Sequence, residues 1–285
     1  MNYIFLNLKR FDIPAARNGV NRLVSPDIWG TNIVSMTKDG MKPYPDAAFV
    51  AFMPEAHILP AVAAKEANGV ANLAIGCQGV FRFDTAEGGN FGAFTTNLTA
   101  NAAAALGCEW ALIGHCEERK DKAEIIQAGG GNDLDAVNEI LNQEVHCAVS
   151  AGLKVLYCVG EKADELEISG EVLNKQIMNG LSGIINGKDK DKIVIAYEPV
   201  WAIGPGKTPP DREYIEKTVD LIKELTGGLP VVYGGGLKAE NAGMLASIKQ
   251  LDGGLIALTR FTPGDFGFYP NEYNEIVAKY MEVRL

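Results

Sequence analysis

A chain of 285 residues with 26 basic and 36 acidic side chains carries a formal net charge of −10. Neutralising nucleic-acid phosphates or an anionic membrane needs a basic face, so neither partner is expected. Hydrophobic residues at 47% against charged residues at 22% exclude disorder as the main state and supply a sizeable core.

The first apolar stretch, over 3–6, predicts a short buried strand. It is too short for a secretory signal, and no later apolar run is long enough for a membrane span. Strands follow over 48–53 and 73–77, with an Ala-rich helix over 56–64 between them. A fourth strand covers 110–113. Next comes a helix over 134–151, with apolar residues at Leu134, Val137, Ile140, Leu141, Val145 and Val149, close to the helical period. Further strands are predicted over 154–159, 193–197, 230–233 and 254–258, and helices over 213–225 and 272–280. Most of these strands run as continuous hydrophobics without alternation, as in a parallel sheet covered on both faces. Eight such repeats without a linker or composition shift predict an α/β chain: a single-domain (β/α)8 barrel over residues 1–285, with a doubly wound open sheet as the competing topology.

Five cysteines without a Cys-x-x-Cys pair, and three scattered histidines, give no disulfide framework and no structural zinc. A reducing, cytoplasmic setting is expected. In a (β/α)8 barrel, chemistry sits at the C-terminal ends of the strands. The residues placed there are Asn7 and Lys9 after the first strand, and Gly114-His115-Cys116-Glu117 after the fourth. Glu198 follows the sixth with the segment 199–208 behind it, Gly234-Gly235-Gly236 follow the seventh, and Thr259-Arg260 come after the eighth. A carboxylate, an imidazole, a lysine and a glycine-rich loop can together move a proton and hold an anion.

Several of these segments resemble one family. Ala196-Tyr197-Glu198-Pro199-Val200-Trp201-Ala202-Ile203-Gly204, continuing to Gly206-Lys207-Thr208, is similar to the catalytic-base and lid motif of the triosephosphate isomerases. Gly114-His115-Cys116-Glu117 resembles their electrophile motif, with cysteine where serine is usual. Gly92-Ala93-Phe94-Thr95 resembles the intersubunit loop, Tyr233-Gly234-Gly235-Gly236 the first phosphate loop, and Cys158-Val159-Gly160-Glu161 is also family-like. The resemblance implies an aldose–ketose isomerase without a cofactor, interconverting glyceraldehyde 3-phosphate and dihydroxyacetone phosphate through an enediolate, and a homodimer. Glu198 would be the base, His115 the neutral hydrogen-bond donor to the carbonyl, and Lys9 a fixed positive charge. Asn7 and Glu117 would position that network. Gly204, Gly235, Gly236, Ala257 and Leu258 would bring backbone to the phosphate.

Departures from the family pattern fall around the phosphate and the dimer. Ala257-Leu258-Thr259-Arg260 stands where the family usually has Gly-Gly-Ala-Ser, and Gly236 replaces a usual serine. Arg260 would add a bidentate phosphate cation, with a surface salt bridge as its alternative role. Leu8 replaces the usual tryptophan before Lys9, Glu118 replaces a common arginine, and Pro205 is unusual in the lid, where it restricts closure or fixes a turn. Extra residues around 82–90 and 121–131 adjoin the intersubunit and electrophile loops. Three other activities remain open from sequence: an isomerase of another short sugar phosphate such as a tetrulose phosphate, a non-catalytic sugar-phosphate-binding barrel, and a phosphate-barrel lyase or synthase.

Overall fold

Parallel strands dominate the computed structural model, which describes residues 1–204 and 206–284. The strands are β1 (Asn2–Asn7), β2 (Ala47–Met53), β3 (Leu73–Cys77), β4 (Trp110–Ile113), β5 (Lys154–Val159), β6 (Ile193–Tyr197), β7 (Val231–Tyr233) and β8 (Gly253–Ile256). Their hydrogen-bonded order is β1 through β8 in sequence, and β1 also pairs with β8, closing a barrel. The open-sheet alternative is thereby excluded. Helices α1 (Trp29–Met41), α2 (Ile58–Asn68), α3 (Ala100–Ala105), α4 (Cys116–Ala128), α5 (Ala136–Ser150), α6 (Ser169–Gly180), α7 (Arg212–Thr226), α8 (Ala242–Ser247) and α9 (Pro270–Arg284) form the crossovers and the C-terminal cover.

The chain packs as two compact units: Met1–Gln78, Leu106–Trp110 and Val232–Leu285 in one, Gly79–Ala105 and Ala111–Val231 in the other. In the first, Phe5 packs edge-on against Trp110 at 5.3 Å between ring centroids and stacks on Phe52 at 5.9 Å. In the second, every residue of β6 is buried. Helix α7 turns Ile215, Val219 and Ile222 inward, a spacing of four and three residues that makes one apolar stripe. Its N-terminus is capped by Asp211, which accepts from Tyr214 N at 2.8 Å, and its C-terminus ends on left-handed Gly227.

The structure differs from the sequence reading at β8 and in several helices. Strand β8 stops at Ile256, two residues early, because the chain turns into a hairpin of β9 (Arg260–Thr262) and β10 (Asp265–Gly267). Thr259 N bonds to Gly267 O at 3.1 Å, and the turn carries Gly264 at φ +82°. The extra residues around 121–131 extend helix α4 and the turn after it. Helices α1, α3, α4, α6 and α8 form where the sequence pattern predicts none; α1 is anchored by buried Trp29, Ile33, Val34 and Met41. No helix among the described residues is long and apolar enough to cross a membrane.

Candidate active site

Glu198 is the first residue past β6 and is 2% exposed. Its backbone N–H is fixed to Val159 O at 2.8 Å, and its side-chain Oε2 accepts the backbone N–H of Cys116 at 2.9 Å. Oε1 stands 3.2 Å from His115 Nε2. His115 in turn caps helix α4, because its Nδ1 accepts the N–H of Glu117 at 3.3 Å. A ring nitrogen that accepts carries no proton, so this hydrogen bond places the proton of a neutral imidazole on Nε2, facing the carboxylate. The sequence therefore brings Glu198 and His115 together through one helix N-terminus. Glu117 contributes its backbone to that cap; its carboxylate is largely exposed, with Oε2 3.8 Å from His115 Nδ1.

The loop under His115 is over-determined. Gly114 has φ +81°, a left-handed conformation that glycine adopts without strain. Its N–H is taken by Glu118 at 2.6 Å and its carbonyl by Arg119 Nε at 2.8 Å. Arg119 also reaches Cys158 O at 2.9 Å and Asn138 Oδ1 at 2.8 Å. Burial, and then the Glu198 carboxylate, push the Cys158 thiol well above its ordinary pKa, so this cysteine is no nucleophile.

Behind Glu198 the lid begins with a short 3-10 turn, Val200–Ala202. Glu161, which is fully buried, gathers Tyr197 Oη at 2.8 Å, Trp201 Nε1 at 2.8 Å and Tyr214 Oη at 3.0 Å on one carboxylate oxygen. A buried carboxylate oxygen requires such donors, and here they tie the start of the lid to the end of β5 and to α7. Burial first, and Glu161 second, raise the pKa of both tyrosines. Glu161 belongs to a motif visible in sequence, but nothing local to 158–161 reveals this contact. Further along, Gly204 is exposed with φ +117° and Lys207 N returns to Gly204 O at 3.3 Å. Pro205 lies outside the described residues.

The unit that holds β1 carries a second group. Asn7 is buried, and its Oδ1 accepts the N–H of Lys9 at 3.0 Å. Lys9 has φ +39°, an unfavourable conformation for a side-chain-bearing residue. Gln78 at the end of β3 holds it there by donating Nε2 to Lys9 O at 2.9 Å. Sequence reasoning missed Gln78, because a lone glutamine after a strand has no motif.

Gly235 and Gly236 form the turn after β7. Gly236 sits at φ +97°, Asn241 Nδ2 donates to its carbonyl at 2.9 Å, and Leu237 N bonds to Leu255 O at 2.9 Å. Ala257 and Leu258 follow β8 directly. Arg260 departs from the phosphate-cation expectation. It donates to Glu272 at 2.6 Å and Asp265 at 2.8 Å, and its guanidinium lies 3.7 Å from the Tyr269 ring centroid. Two carboxylates neutralise it, and the hairpin itself creates that pairing. These contacts favour the salt-bridge role of the two that the sequence offers for Arg260.

A closed barrel of eight parallel strands with a buried carboxylate beside an imidazole at strand ends defines the class: a (β/α)8 barrel whose strand ends carry groups able to move a proton. The sequence model described as triosephosphate isomerase matches residues 31–269, and the chain belongs to that family. The triosephosphate isomerase of Geobacter metallireducens is 36% identical over 190 residues, 63% of this chain and 70% of that protein. That of Chlorobium phaeobacteroides is 38% identical over 61% of this chain and 68% of its own length. The crystal structure of triosephosphate isomerase from Bartonella henselae superposes with a TM-score of 0.70 over 98% of this chain and 99% of that one. At 21% identity it speaks to the fold alone.

Proposed function

We propose that this chain interconverts glyceraldehyde 3-phosphate and dihydroxyacetone phosphate by proton transfer through an enediolate. The observation that carries the reading is the pair formed by Glu198 and His115 Nε2, 3.2 Å apart. Glu198 takes the proton from the carbon beside the carbonyl and returns it to the neighbouring carbon. One of its oxygens is pinned by Cys116 N–H, so the other is aimed without a search over rotamers. His115 donates from Nε2 to the substrate oxygen as charge grows there, and Lys9, held by Asn7 and Gln78, supplies the fixed positive charge. Glu117 acts through the cap on His115. The phosphate meets backbone N–H groups of Gly204, Gly235, Gly236, Ala257 and Leu258, with no cofactor in the cycle. The enzyme works in the cytoplasm as a homodimer.

The test is a panel of three- to five-carbon ketose phosphates compared by kcat/KM, run beside Glu198→Asp. Asp withdraws the carboxylate by about 1.5 Å. We expect the three-carbon substrate to be preferred, and kcat of the variant to fall by about 100-fold or more with KM little changed. Unchanged turnover in Glu198→Asp removes that residue from its role, and a preference for a four- or five-carbon sugar phosphate replaces the substrate.

A further inference from the structure

The Cys116 side chain is not needed for the proton transfer, yet its sulfur stands with the Glu198–His115 pair. One donor atom each from His115, Cys116 and Glu198 lies within 4.8 Å of the other two. His115 Nδ1 and Cys116 Sγ are 3.8 Å apart, and His115 Nε2 and Glu198 Oε1 are 3.2 Å apart. We propose that these three side chains form a site for a borderline-soft divalent cation, Zn2+ foremost, whose occupancy blocks the isomerase.

Chemistry and geometry both favour that ion. Imidazole, thiolate and carboxylate are the zinc donor set, whereas hard cations take oxygen alone. Zinc–donor distances of about 2.0–2.3 Å in a tetrahedron put the donors about 3.4–3.6 Å apart. Only the 3.2 Å between His115 Nε2 and Glu198 Oε1 is a separation between two of these ligands, and it lies close to that spacing; the sulfur, 3.8 Å from the other ring nitrogen, reaches the ion by a change of rotamer. Three protein ligands leave a fourth position for water. The ligands also rest on rigid backbone, since Glu198 is fixed through Val159 and Cys116, and residues 114–116 through Arg119 and Glu118.

The protons balance as follows. Metal enters at His115 Nε2, which gives up its proton, while Nδ1 gains one, so the ring stays neutral. That Nδ1–H turns towards the Glu117 carboxylate, whose Oε2 is 3.8 Å away, a carboxylate behind a metal-bound histidine. The Cys116 thiol releases its proton to solvent as the sulfur–metal bond forms, so one proton leaves per ion bound. Coordination occupies both the base and the hydrogen-bond donor, so metal and substrate exclude each other. Only this inhibitory half rests on the proposed isomerase activity.

Binding is read without activity. Titration of the full chain with Co2+ should give tetrahedral visible bands and a thiolate-to-metal charge-transfer band saturating at one ion per chain. Zn2+ should displace the Co2+, and Zn2+ added to the metal-free chain should release one proton, measured by calorimetry in buffers of different ionisation enthalpy. Cys116→Ser should abolish the charge-transfer band and weaken Zn2+ binding by at least about 10- to 100-fold, the loss that indirect ligand partners alone can cause. Cys147→Ser, on α5, should keep both, and circular dichroism should show both variants folded. Turnover should fall as Zn2+ rises, recover with EDTA, and be protected by substrate. A charge-transfer band that survives in Cys116→Ser, or no band in the parent chain, overturns the site. A cysteine-dependent band without inhibition overturns the block alone, and a chain that isomerises nothing leaves the Co2+ titration to decide the site.

Discussion

Gly160 is a position where a single added methyl group should reach Glu198. A Cβ built on it would lie 1.7 Å from the backbone oxygen of Glu198 and 2.7 Å from its carbonyl carbon. Ordinary carbon–oxygen contact begins near 3.4 Å, so roughly 1.7 Å must be absorbed. Gly160 cannot give way freely. Its N–H is held by Gln176 Oε1 at 2.8 Å and its carbonyl by Gln176 Nε2 at 2.9 Å, and it follows the buried strand β5. The movement therefore passes largely to Glu198, whose carboxylate shifts by about 1 Å, a misplacement worth about 100-fold in rate. Overpacking of this kind also costs about 1–3 kcal/mol of stability. The assay is steady-state isomerisation coupled to a ketose-phosphate dehydrogenase, with urea unfolding in parallel. Gly170→Ala serves as control, because its Cβ would meet Leu221 Cδ2 at an ordinary 3.7 Å. A Gly160→Ala enzyme that stays folded and keeps the parent kcat refutes the argument that this glycine sets the position of the base.

Two further substitutions separate structure from chemistry. Arg260→Ala removes the hairpin's pairing to Glu272 and Asp265. Amide exchange over 260–267 should quicken while KM for the phosphorylated substrate moves by less than about twofold; a tenfold rise, about 1.4 kcal/mol, would return Arg260 to the phosphate grip. Glu144 on α5 is pushed up to about 9, chiefly by burial and next by Glu118, which outweigh the Lys122 ammonium 3.0 Å away. With the folded value raised, its contribution to stability is complete below the unfolded value of 4.5 and is lost as pH rises towards 9. Glu144→Gln keeps the neutral shape, so its stability advantage over the parent should grow between pH 5 and pH 9 in urea titrations. A difference that stays flat, or shrinks, contradicts the raised pKa.

Strands were legible because their cause is local. Ile193 to Tyr197 is apolar throughout, and a run of that kind has nowhere to go except a sheet covered on both faces. The pairing of Glu198 with His115 was legible only through motif resemblance, since the Cys116 N–H that joins them is a backbone donor with no residue signature. Glu161 and Gln78 escaped for the opposite reason. Their partners, Trp201 and Lys9, lie 40 and 69 positions away, and spacing alone cannot pair residues so distant in the chain. The hairpin after β8 did carry a local sign in Thr262-Pro263-Gly264-Asp265, a turn sequence. The run 254–258, which reads as one strand, masks it.

Lys9 is held in left-handed backbone by two side-chain amides, at a conformational penalty of about 1–3 kcal/mol. Glycine would relieve that penalty and lack the ammonium. A population of variants sorted for heat resistance alone should therefore drift towards glycine at position 9, and one sorted for turnover should refuse it. The two screens, run on the same library, would part at a single codon.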